Sequence, residues 1–217
     1  MLTALTILIM LIVAYSAFRE GIFTSLTILV NILLAGVVTF NFWEPLCGLA
    51  EPMIGGGFLD DYLDFIFMIA LFCITLALLR MATNNLANYQ IQFAARLNQI
   101  GGAAVGLLNG YLVAGFLICA LQTLPWHQNF VDWKPRAAGE GSRAFPPDRV
   151  WLALMRHAGA YPFARGADRP DAESPYEQQP TFDRGATFEL RYLRHRRFTE
   201  STNPLPYMGE FEHELHP

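Results

Sequence analysis

Four stretches of this chain run without a charged side chain for long enough to cross a lipid bilayer, and no other feature restricts its fold as tightly. They are residues 1–18, 21–43, 63–79 and 100–124, with Asp64 at the outer edge of the third. At 1.5 Å per residue even an 18-residue helix reaches roughly 27 Å, close to the thickness of a hydrocarbon core. Four such runs in 124 residues exceed what the core of one water-soluble domain requires. The first run ends in "VAYSA", small residues of the kind found at cleavage sites. It lacks a basic leading segment and is longer than a usual signal core, so it reads as a retained span.

The rest of the chain differs in kind. Up to residue 124 the only basic side chains are Arg19, Arg80 and Arg96, whereas the proline-rich remainder holds every histidine. The net charge of −4 therefore averages two unlike solvents. The expected architecture is an all-α integral membrane protein. Residues 1–124 form a four-helix transmembrane domain, and 125–217 form a largely irregular hydrophilic tail. Within the tail, "PDRVWLALMRHAG" supports one short helix near 147–158, started by Pro147-Asp148 and bearing an apolar face of Val150, Trp151, Leu154 and Met155. That helix docks on the bundle or on the membrane surface, with Trp151 as an interface anchor.

Basic residues cluster in the first and third connections. The connection between spans two and three holds Glu44, Glu51, Asp60 and Asp61 but no Lys or Arg. By the bias of cytoplasmic loops toward basic residues, the first and third connections face the cytoplasm and both termini face outward. In the third connection Leu86, Tyr89, Phe93, Leu97 and Ile100 recur at helical spacing. They predict a short interfacial amphipathic helix, or a continuation into span four.

Span four contains Gly102, Gly106, Gly110 and Ala114, each four residues after the last. Four residues turn a helix by about 400°, so these small positions form one slowly drifting stripe. In lipid, small residues let two helix backbones approach and gain van der Waals contact. The stripe is an assembly signal and carries no chemistry. Asn31 and Asn109 lie at similar depth in spans two and four. A carboxamide facing lipid is costly unless bonded, so both are expected to face protein, with a direct Asn31–Asn109 hydrogen bond as one solution.

Two segments carry a resemblance. "RLNQIGGAAVGLLNGYLVAG", which opens at Arg96 and includes Gly102, Gly106 and Gly110, resembles the signature of the colicin V production protein (CvpA) family. That signature has an Asp-Arg pair, a Gly, a second Gly four residues on, and a basic-Gly pair opening a long apolar run. "YSAFREGIFTSLTIL", with Arg19, Glu20 and Gly21, resembles the family's other motif, a basic glycine-containing turn between the first two spans. Asn98 and Gln99 stand where the family often has Asp-Arg, and Asn109 where it often has a basic residue. The resemblance covers about residues 1–125. It implies a small multi-pass protein of the bacterial inner membrane that serves toxin production or export and envelope maintenance, without established catalytic residues.

The residues themselves suggest no enzyme. Acids, bases and histidines inside a membrane usually mark ion or proton pathways, and these spans carry none beyond their ends. No catalytic, cofactor or metal set is legible. Cys47, Cys73 and Cys119 lack metal or redox spacing. "EHELH" at 212–216 has the wrong histidine spacing for a zinc protease. "GGG" at 55–57 is followed by no lysine and reads as a turn, and "RYLRHRR" at 191–197 reads as a solvated basic face. The expected partners are the lipid bilayer and a membrane or envelope protein or further copies of the chain, not nucleic acid. An accessory or scaffold protein is the leading reading; a small oligomeric channel or transporter subunit is the alternative.

Overall fold

The structure, a computed structural model, describes residues 2–54, 60–86, 94–124 and 146–160, together with Phe182, Phe188 and Tyr192. The expectations for 55–57, 212–216 and most of 191–197 lie outside the described residues. The described residues form five helices: α1 (Leu2–Glu20), α2 (Ile22–Ile54), α3 (Asp60–Leu86), α4 (Ala95–Gln122) and α5 (Pro147–Ala160). The first four are each long and apolar enough to cross a membrane. Among the described residues the elements are all helical, and the four long apolar helices make the chain a multi-pass membrane protein.

Helix ends do not coincide with the ends of the apolar runs. α2 has 33 residues, or roughly 50 Å, and continues through Glu44 and Pro45 well past the run that closes at Trp43. α3 likewise runs beyond Leu79 to Leu86. Charge ends the apolar character of a segment but not its backbone hydrogen bonding, and outside the hydrocarbon water satisfies the polar side chains. The stripe expected to form an interfacial helix or to continue into span four is divided, and only its last part continues into the span. Leu86 closes α3, residues 87–93 lie outside the described residues, and Leu97 and Ile100 belong to the exposed first turns of α4. Ala94, just before α4, is extended at φ −51°, ψ 134°.

The spans form a row more than a closed square. α1 packs chiefly on α4, α4 also on α2, and α2 on α3. α1 and α4 run antiparallel, and the glycine stripe is their seam. A Cβ added at Gly102 would lie 2.6 Å from the Ala17 carbonyl oxygen, and one at Gly110 would lie 2.6 Å from the Met10 Cα. One at Gly106 would overlap the Ala17 methyl and lie 2.9 Å from the Ala14 Cα. Ala114, the next member of the stripe, is fully buried. The opposite surface of α1, including Ile7, Leu8, Leu11 and Ile12, is exposed and apolar, as a lipid-facing surface is.

At the other end of α4 an aromatic core joins α2, α3 and α4 to the tail. Phe72 of α3 stacks on Phe116 of α4 with centroids 3.9 Å apart. Phe40 of α2 meets both Phe116 and Trp151 of α5 edge-on. Phe182, Phe188 and Tyr192 complete the cluster, and the Tyr192 hydroxyl donates to Asp64 Oδ2 at 2.8 Å. α5 therefore docks on the bundle, and Trp151, expected at the membrane interface, is fully buried instead. The reason is local: Gly36 of α2 and Gly115 of α4 leave a slot that the indole and the first turn of α5 fill.

The seam of α1 and α4 is formed by backbone atoms, which cannot swing aside as a flexible side chain does. Gly106→Leu or Gly110→Leu is expected to destabilise the bundle by about 1–3 kcal/mol or more. Gly48→Leu, at a position with no atom near the added Cβ, is expected to change little. Equilibrium unfolding in mixed micelles checks the difference.

Candidate functional site

The two motif segments, separated by about 75 residues of sequence, form one junction. Its centre is Gly21. There the backbone takes φ +92°, in the left-handed region that a residue with a Cβ avoids. α1 stops at this turn, the Gly21 N–H donates to the Ala17 carbonyl at 2.9 Å, and α2 starts at the next residue. Gly102 of α4 lies directly against the turn: its added Cβ would be 2.9 Å from the Gly21 carbonyl carbon.

Asn98 ties the junction together. The first N–H groups of a helix lack partners within it, and a side-chain oxygen commonly supplies one. For α2 that oxygen comes from a different helix, as the Ile22 N–H donates to Asn98 Oδ1 at 2.9 Å. Asn98 also packs onto Gly21 so closely that a Cβ there would sit 2.5 Å from its Nδ2. Arg80 Nη2 of α3 donates to Glu20 Oε1 at 3.4 Å. Both side chains are well exposed, so the ion pair adds little stability. Arg19 and Arg96 are exposed. Arg19, Arg80 and Arg96 thus gather at one end of the bundle.

The buried amides settle differently from the expected direct bond. Asn31 Nδ2 donates to Thr83 Oγ1 of α3 at 3.2 Å, and Asn109 Nδ2 donates to the Ser25 carbonyl of α2 at 2.9 Å. Both residues face protein, at 2% and 1% exposure, but they meet different helices. Asn31 lies on the face of α2 turned toward α3, and Asn109 reaches α2 at Ser25, six positions earlier. Asn109 Oδ1 is buried without a partner. The hydroxyls of Thr6, Ser25, Thr27, Thr39 and Thr83 each donate to the carbonyl four residues earlier, which keeps them satisfied without water.

A second polar group sits beneath α5. Gln122 Nε2 donates to Asp148 Oδ2 at 3.0 Å with both residues buried. Sequence reasoning placed Asp148 only as a helix starter and gave Gly36, Gly115, Ser25 and Thr83 no role. Their signal is spatial: each acquires its role from a helix distant in sequence. Among the described residues no group of three His, Cys, Asp or Glu side chains is placed to hold a metal ion. What this arrangement does chemically is fix helix against helix.

Comparison with known proteins matches residues 2–140 to the family described as Colicin V production protein. No curated protein and no solved structure matches the chain.

The Asn98 contact generates a paired expectation. Asn98→Ala removes the oxygen that caps α2 and is expected to cost about 1 kcal/mol, whereas Asn98→Asp keeps an acceptor there and retains stability. Asn109→Leu removes one bond and one unpartnered oxygen together, so its effect is expected to stay under about 1 kcal/mol. Unfolding titrations of the three variants in micelles distinguish these outcomes.

Proposed function

This chain belongs to the colicin V production protein family, and we propose that it acts as an accessory or scaffold protein of the bacterial inner membrane, holding a membrane or envelope partner in place. Family membership suggests a role in colicin V production. The finer reading, a scaffold for toxin export or envelope maintenance, is supported chiefly by how the polar side chains inside the bundle are used. Asn31, Asn98 and Asn109 each bond one helix to another, and the buried hydroxyls bond back to their own helices. A scaffold requires its polar groups for architecture. A self-sufficient transporter needs some of them facing a path.

The clustering of Arg19, Arg80 and Arg96 at the α1–α2 and α3–α4 end supports a cytoplasmic placement of that end, and hence outward-facing termini. The apolar surfaces of α1 and α3 serve the lipid bilayer and leave room for a protein partner or a second copy. Neither a cofactor nor a catalytic step enters this reading.

In a strain deleted for the gene, the chain is expected to restore toxin secretion or envelope integrity, and Gly106→Leu is expected to lose that restoration together with assembly. Purified chain in proteoliposomes is expected to pass no small solutes. Flux by the chain alone would replace the scaffold with an oligomeric channel subunit.

A further inference from the structure

α5 sits within the depth of the apolar spans. A Cβ at Gly36 would lie 2.5 Å from the Trp151 ring and 2.9 Å from Met155 Sδ, and one at Gly115 would overlap the Pro147 carbonyl oxygen. Gly36 precedes Trp43, the end of the second apolar run, by seven residues, or roughly 10 Å of helix rise. Gly115 precedes the end of the fourth run at Leu124 by nine, or roughly 13 Å. With 14 residues and a length of about 21 Å, α5 is too short to cross a bilayer. It is a re-entrant helix held in the leaflet farther from Arg19, Arg80 and Arg96.

At that depth the charges of α5 need partners. The helix carries Asp148, Arg149 and Arg156, a positive charge in excess. Asp148 is engaged, since Gln122 Nε2 donates to it at 3.0 Å. Arg156 follows Met155, the residue seated at Gly36. It is half-buried, its Nε is buried without a hydrogen-bond partner, and among the described residues no carboxylate pairs with it. Arg149 and Arg156 are seven residues apart and so lie along one flank of α5. That flank separates the buried side, with Trp151, Leu152 and Met155, from the exposed side, with Ala153, Leu154 and His157. Further donors go unmet nearby: the indole N–H groups of Trp43 and Trp151 are buried without acceptors. An arginine at membrane depth ordinarily pairs or faces a water-filled space. A long stem can carry a guanidinium back toward the headgroups, but the buried Nε keeps this one at the seam. Surplus donors and a surplus cation require an anionic acceptor.

We propose that Arg156 is a phosphate-binding residue, which takes an anionic phosphate group at the seam between α5 and the bundle. The planar guanidinium matches two oxygens of a phosphate, and the low dielectric of the site strengthens the pair. Such a phosphate has two sources. One is the headgroup of an anionic phospholipid drawn down beside α5, and the other is a free phosphate ion entering from the water on that side. The site is independent of the scaffold reading above.

Arginine modification by p-hydroxyphenylglyoxal tests the site on the full-length chain, with Arg96, exposed at the opposite end of the bundle, as the reference within the same digest. The chain is stripped of bound lipid in an uncharged detergent. It is then modified alone, with inorganic phosphate, with phosphatidylglycerol, or with diacylglycerol, which lacks the phosphate, and each arginine is followed by mass spectrometry of its peptide. Arg156 is expected to react in the stripped chain. A phosphate source is expected to slow that reaction by about fivefold or more, and the reaction of Arg96 by less than about twofold. Protection by inorganic phosphate identifies the free ion as a ligand, and protection by phosphatidylglycerol alone identifies the headgroup. The unaltered chain serves throughout, so the result does not depend on whether an Arg156 variant assembles.

An Arg156 that reacts only after denaturation has its charge met inside the chain, and that result overturns the proposal. An Arg156 left unprotected by both phosphate sources overturns it too, as does equal protection by diacylglycerol. Equal slowing of Arg96 marks a general attraction of anions to the protein and likewise removes the site.

Discussion

The approach of two helix backbones in a medium that offers no hydrophobic reward for association governs this structure. Lipid tails solvate leucine as well as a neighbouring helix does, so α1 is held against α4 by the fit of its backbone into the glycine stripe. The order of events in space follows from that seam. With Gly110 at Met10, Gly106 at Ala14 and Gly102 at Ala17, the end of α1 is fixed in register along α4. The turn at Gly21 then falls beside Asn98, and α2 departs from a defined point. A shift of the seam by one turn would carry Asn98 about 5.4 Å from the Ile22 N–H it serves.

The polar contacts inside the bundle choose among arrangements more than they hold it together. Interhelical hydrogen bonds in membranes average about 0.6 kcal/mol where measured, because an unassembled helix also finds partners. Three asparagine contacts of that size cannot rival continuous backbone packing. Their value is directional. Asn31 meets Thr83 only when α2 and α3 are antiparallel in one register, and Asn98 reaches Ile22 only when α4 starts beside the α1–α2 turn. Asn98 also explains why two segments that look like separate motifs belong together: one supplies the helix start, the other its cap.

How much of this was legible in the sequence depends on whether the signal was local. The spans were, since the cost of a charge in hydrocarbon is felt residue by residue. The glycine stripe of α4 was legible as a packing face, but its partner was not, because α1 offers only Ala14, Ala17 and a bare backbone, with no periodic signal of its own. Asn31 and Asn109 were expected to face protein, and each does. Depth does not fix the direction in which a side chain points around its helix, so the expected bond between them gave way to Thr83 and Ser25. Trp151 was misplaced for a related reason. A tryptophan on a short amphipathic helix suits an interface, and the slot that takes it instead is formed by two isolated glycines, Gly36 and Gly115, on two different spans.

That slot changes how the two halves of the chain relate. The row of spans leaves α2, α3 and α4 with a shared aromatic surface around Phe40, Phe72 and Phe116, which a closed four-helix square would have covered with a fourth span. α1 is not available to cover it, being committed to the opposite side of α4 by the glycine seam. The cover comes from beyond residue 124, as α5 and the rings of Phe182, Phe188 and Tyr192. The small residues that draw α1 to one side of α4 thus create the need that the tail meets on the other. The polar half of the sequence is, in part, the missing wall of the membrane half.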